Sequence, residues 1–240
     1  MQVTDAKPSL PTGTEKVFVT FEEVSVERAD GRWMSLSLVQ IPCAIDLLQF
    51  ADGTANPLIQ PTQLEPGHYT GVRLRLSSAT IRMNGLDLPM DILPQDLQAE
   101  KDFEFDIGGN GSLDFTLDFD LTRSVTAEGN GAFRFQPVFH LVNTREAVAI
   151  EGSLLASTCG NPPQEVEVTV FAREGAEVYA RILLENTGSD PTPFTLRWLS
   201  PGQTYYVRLR INGSPLFLER VEGSRLHPGG VYALNGGKPI

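Results

Sequence analysis

Residues Asp102 to Val125 read D-F-E-F-D-I (102–107), G-G-N-G-S (108–112) and L-D-F-T-L-D-F-D-L-T-R-S-V (113–125). Phe103, Phe105, Ile107, Leu113, Phe115, Leu117, Phe119 and Leu121 hold the odd positions, while Asp102, Glu104, Asp106, Asp114, Asp118 and Asp120 hold even ones. In a strand this period sends the two sets to opposite faces. The stretch therefore predicts a long antiparallel hairpin with one apolar and one carboxylate face, turned through glycines and Asn110.

The rest of the chain reads the same way. V-F-V-T-F-E-E-V-S-V (17–26) is a strand whose apolar parity switches at Glu22-Glu23, the mark of a β-bulge. Trp33 to Ile41 reads as a second strand, Ala44 to Phe50 as a helical turn or a strand, and Pro89 to Ala99 as a loop or short helix. Asn84-Gly85 between apolar residues predicts a two-residue hairpin. L-E-P-G (64–67) with Tyr69 and V-R-L-R (72–75) is echoed by L-S-P-G (199–202) with Tyr205 and V-R-L-R (207–210). Each is a tight turn feeding a strand, with a tyrosine whose hydroxyl can tie the turn's backbone. About seven short segments follow Glu146, so the expected fold is all-β, two β-sandwich domains over 1–146 and 147–240.

Charge narrows the partners. The net charge is -11, and residues 1 to 146 carry 21 acidic and 11 basic side chains against 9 and 8 in the remainder. Such a surface repels phosphate backbones and anionic lipid headgroups, which argues against nucleic acid and peripheral membrane binding. No run of 18 apolar residues occurs, and Met-Gln-Val-Thr-Asp-Ala lacks the basic and apolar regions of a signal peptide. Met1 before Q-V-T-D reads as a start placed after a removed leader, and equally as a native cytoplasmic start; the β-rich composition favours export. Cys43 and Cys159 read as two buried thiols, with a bridge between them the alternative.

The first part resembles a family of bacterial and archaeal secreted or lipid-anchored proteins known only as a domain of unknown function. The resemblance rests on Val3-Thr4-Asp5-Ala6, V-F-V-T-F-E-E-V-S-V, Asp46-Leu47-Leu48, L-E-P-G-H-Y with V-R-L-R-L, and L-D-F-D-L-T-R-S-V followed by Phe135, Pro137 and Val138. It implies export and a lipid anchor ahead of the V-T-D start, and brings no catalytic residues. The second part is similar to carboxypeptidase-regulatory or transthyretin-like β-sandwich modules, through Ile150-Glu151-Gly152 and the Leu199 to Tyr205 corner. Such modules are structural or adhesive companions.

Like charges about 5 Å apart across a ladder repel by roughly 1 kcal/mol in water-like surroundings, so the acidic face needs a partner. Arg73 and Arg75, or Arg82 and Arg134, would supply it from adjacent strands. The sharper alternative is a Ca²⁺ site on Asp114, Asp118 and Asp120. His68, His140 and His227 lack metal-ligand spacing, and Ser124 and Cys43 lack a nucleophile signature, so no catalytic residue and no enzyme is expected. Trp198 and an outward Tyr206 are the candidate ligand-binding aromatics. The expected function is a non-enzymatic, lipid-tethered protein of the cell envelope that binds a protein or glycan partner. A fimbrial subunit assembling by strand exchange and a calcium-dependent carbohydrate binder are the alternatives.

Overall fold

The computed structural model describes residues 1–5, 10–50, 54–93, 96–98, 103–108, 113–129, 131–155, 166–172, 178–184 and 191–240. Its chain divides into two compact units, one over Met1–Asp5 and Ser9–Leu141, the other over Val142–Ile240. Both are all-β sandwich-type folds, and no helical element among the described residues exceeds four residues.

The first unit contains β1 (Gln2–Asp5), β2 (Thr14–Arg28), β3 (Trp33–Leu36), β4 (Cys43–Asp46), β5 (Asn56–Pro57), β6 (Gly67–Met83), β7 (Leu86–Ile92), β8 (Asp96–Gln98), β9 (Phe105–Ile107), β10 (Phe115–Phe119), β11 (Val125–Ala127) and β12 (Phe133–Phe135), followed by β13 (Phe139–Asn143). One sheet runs β13-β10-β1-β5. The other runs β11-β12-β7-β6-β2-β3, with β4 also on β2 and with β8 and β9 also on β6. Long β2 and β6 form its spine. The register of β2 against β6 shifts on either side of Phe21, where the sequence parity switches, and beyond that bulge β2 exchanges β4 for β3 as its outer neighbour.

The stretch 102–125 is not a hairpin. β9 pairs with β6 through Phe105↔Tyr69, whereas β10 pairs in parallel with β1 through Leu117↔Val3. The two segments therefore belong to facing sheets. The predicted turn at 109–112 lies outside the described residues. The alternation does mark strands, yet period 2 does not say which strand is the partner. The phenylalanines act as a clasp between layers. Tyr69 stacks on Phe105 at 5.0 Å, and Phe105 meets Phe115 at 4.9 Å. Further along β10, Phe119 meets Phe21 edge-on at 6.3 Å. A fully buried phenylalanine contributes about 1.5–3 kcal/mol of transfer free energy, so this chain of rings is a principal support of the unit.

Three other expectations change. The second strand stops at Leu36. Cys43–Asp46 is β4 and only Leu47–Phe50 turns helical, as a 3-10 helix. Pro89 sits inside β7, not in a loop; it pairs with Thr80 on β6, and β12 joins the other side of β7 only from Met90 onward, so the missing donor interrupts no ladder on that flank. The Asn84-Gly85 turn forms as expected, with both residues at positive φ (49° and 78°) between β6 and β7. Cys43 is a free, buried thiol, and burial raises its pKa; Cys159 lies outside the described residues.

The second unit contains β14 (Val148–Leu154), β15 (Val166–Phe171), β16 (Val178–Leu184), β17 (Thr192–Leu199), β18 (Tyr205–Ile211), β19 (Ser214–Val221) and β20 (Val231–Ala233). One sheet is β17-β14-β20 and the other β16-β15-β18-β19. Alternate residues of both sheets fill the core, among them Val148, Ile150, Leu196, Val168, Val170, Val207 and Leu209. Asn212-Gly213 (φ 49° and 77°) turns β18 into β19.

Candidate functional site

The three aspartates of the proposed calcium site sit in three different environments. Asp114 is exposed and lies 3.5 Å from the Met1 ammonium. Asp120 accepts a hydrogen bond from the Arg123 backbone N–H at 3.1 Å, capping a four-residue helix over Leu121–Ser124. Its other oxygen is 4.0 Å from the Arg123 guanidinium, an ion pair too long for a hydrogen bond. Asp118 is buried on β10, 6% exposed, and its Oδ1 meets no hydrogen-bond donor among the described residues. Burial pushes its carboxyl up to about 8, with the neighbouring charge of Asp120 adding to the shift. Among the described residues, no group of three or more His, Cys, Asp or Glu side chains converges on a point where an ion could sit.

The solvated carboxylate face expected from sequence is thus absent at β10, where Phe115, Thr116, Leu117, Asp118 and Phe119 are all buried. A central strand covered on both faces keeps no wet side. The arginines expected to neutralise that face have other partners. Arg75 pairs with Glu23 at 3.7 Å, Arg82 grips Asp87 through two bonds of 2.6 Å, Arg134 pairs with Glu128, and Arg73 lies over the Trp33 ring at 4.4 Å. Glu104, just before β9, and Asp106 within it instead flank a histidine. His68 Nδ1 is 3.0 Å from Asp106 and Nε2 is 3.4 Å from Glu104, all exposed.

Ser124 has a structural use. Its hydroxyl donates to the Asp120 carbonyl at 2.7 Å and accepts the Val138 N–H at 2.9 Å.

The two ligand-binding aromatics are not brought together. Trp198 is the penultimate residue of β17 in one sheet and Tyr206 the second residue of β18 in the other. Between Val148↔Leu199 and Ile150↔Leu196 the ladder gains a residue, and Trp198 occupies this bulge with φ at 61°. Its indole N–H is enclosed without a hydrogen-bond partner among the described residues. Tyr206 is half-buried, stacked on Phe171 at 5.7 Å with 12° between the planes, and the Arg220 guanidinium lies 6.0 Å from its centroid. Arg208 in turn lies 4.8 Å from the Phe171 centroid.

This arginine and aromatic stack is the feature that reading the sequence residue by residue missed. Tyr206, Arg208 and Arg210 alternate in Y-Y-V-R-L-R, which places them on one face of β18. Registers Phe171↔Tyr206 and Tyr206↔Arg220 add residues 35 and 14 positions away, which no local pattern announces.

The model of a family described as a domain of unknown function, DUF4382, matches residues 1–137. The chain belongs to the DUF4382 family. The DUF4382 segment therefore takes in both sheets of the first unit apart from β13, and includes the clasp of rings and Asp118. No curated protein matches the chain. Among solved structures, the chain is similar to the fimbrial anchor protein Mfa2 from Porphyromonas gingivalis, at 10% identity and a TM-score of 0.23, over 93% of this chain and 82% of that one. That superposition is too loose to transfer any residue of this DUF4382 protein.

Proposed function

We propose that this protein is a non-enzymatic component of the cell envelope, exported and held by a lipid anchor, that works by binding a partner through its second unit. The observation that carries the reading is the stack Arg220, Tyr206, Phe171 and Arg208 on the β15-β18-β19 face. Tyrosine supplies large contact area with few rotors, and both arginine and tyrosine are enriched at the energetic centres of protein interfaces. Tyr206 already stacks on Phe171 and carries Arg220, so a sugar would have to displace that guanidinium. This favours a protein partner over a glycan. β1 weighs against polymerisation through a free N-terminal strand, because it is paired with β10 on one side and β5 on the other, with Val3 fully buried.

Two measurements test the reading. Expressed from its gene with the natural upstream region, the protein should fractionate with the envelope and incorporate labelled fatty acid; a soluble, unlabelled product defeats the anchor. Purified protein should bind envelope proteins, and Arg220→Glu should weaken that binding at least tenfold with an unchanged melting curve. Equal binding by the variant removes this face from the proposal.

A further inference from the structure

β19 closes one side of the four-stranded sheet. Its ladder runs to β18, and along Ser214–Val221 no main-chain hydrogen bond to any other segment occurs among the described residues. An open edge is a template for another strand unless charge, proline or a bulge blunts it. Pro215 and the register shift at Leu209/Arg210 blunt only the beginning of β19; from Phe217 to Val221 the strand is regular against Leu209 to Tyr205. That run carries Leu218, 51% exposed, with Leu216, 40% exposed, just before it.

The charges that should protect this edge are already engaged. The Glu219 carboxylate accepts the Tyr232 hydroxyl and the Asn235 backbone N–H, both at 2.8 Å. Arg220 pairs with Glu222 at 2.5 Å.

We propose that β19 pairs antiparallel with β19 of a second copy about a two-fold axis at Leu218, merging two four-stranded sheets into one of eight strands. The strand is self-complementary in that register. Leu218 lies beside its symmetry mate, Phe217 opposite Glu219 and Leu216 opposite Arg220, so no like charges face each other. Moving the axis one residue on sets Glu219 against Glu219. Moving it one residue back draws Pro215, which has no N–H to give, further into the ladder. The inference is independent of envelope location and adds a second copy to whatever partner the arginine stack takes. Five residues per edge bury well under the roughly 1,600 Å² of a standard interface, so the dissociation constant should be on the order of tens of micromolar.

Sedimentation velocity on the purified full chain, from about 1 to 500 µM, should show a reversible monomer to dimer conversion. Leu218→Lys should remain monomeric throughout with an unchanged melting temperature. In a Cys159→Ser background, Leu218→Cys should oxidise to a disulfide-linked dimer at 50 µM, whereas Val231→Cys, exposed on β20, should not. A wild-type monomer at 500 µM, a dimer indifferent to Leu218→Lys, or equal crosslinking at position 231 would each overturn the proposal.

Discussion

The Tyr69 hydroxyl donates to the Glu65 carbonyl at 2.9 Å, so the strand's own tyrosine holds the turn that delivers it. The second unit repeats the device. The Tyr205 hydroxyl accepts the Ser200 N–H at 3.0 Å, and both tyrosines are fully buried. Tyr69→Phe should cost about 1 kcal/mol, the net worth of such a bond. Tyr205→Phe should cost about 1–2 kcal/mol, because it also strands the Ser200 donor. Urea melts followed by fluorescence resolve the two units, since Trp33 reports the first and Trp198 the second; a loss confined to the other unit's tryptophan would contradict the assignment.

Asp118 should make stability depend on pH. Its folded carboxyl titrates at about 8 and an unfolded one near 3.8, so between these values the folded state holds the extra proton. Stability therefore falls as pH rises from about 4 to 8 and levels off above. Asp118→Asn should raise the melting temperature at pH 8 by about 2–5 °C and flatten the slope below it. An unchanged slope would mean that Asp118 ionises freely in the folded protein.

Asp120 acts twice, as helix cap and as a charge beside Asp118. Asp120→Ala should cost about 1 kcal/mol at pH 5, where the loss of the cap dominates. At pH 8 the cost should be smaller, because the repulsion on Asp118 is relieved as well. A penalty identical at the two pH values would leave only the cap.

Gly152 faces Phe194 across the β14 and β17 ladder, and a methyl group there would fall inside the contact distance of the Phe194 ring. With Phe194 only 5% exposed, the ring has little room to yield. Gly152→Ala should destabilise the second unit by about 1–3 kcal/mol despite the better intrinsic propensity of alanine. Gly152→Ala with Phe194→Leu should recover part of that loss in the same melts.

Elements set by local chemistry were legible in the sequence. The bulge in β2, the Asn84-Gly85 turn and the two tyrosine corners all follow from residues within a few positions of one another. Partner choice was not. Leu113 to Leu121 has the alternation of a one-sided hairpin strand, yet β10 lies inside its sheet between β1 and β13 and every residue from Phe115 to Phe119 is buried, so neither of its faces is wet. Asp120 hides another boundary, since capping turns Leu121–Ser124 into a helix where alternation promised more strand. For the candidate site, the face of β18 could be read from Tyr206, Arg208 and Arg210. Its completion by Phe171 and Arg220 needed the ladder registers.

β1 and β10 are secured to each other across 114 positions, as the Gln2 side chain on Thr116 shows. A ribosome adding 5–20 residues per second leaves the first strand without β10 for roughly 6–23 s, with only the two-residue β5 available to it earlier. The opening residues are therefore made first and secured late, and this seam of the first unit forms only once most of its chain exists. Pulse-labelled hydrogen exchange during refolding should find the amides of Gln2 to Asp5 among the last protected; early protection there would reverse that order.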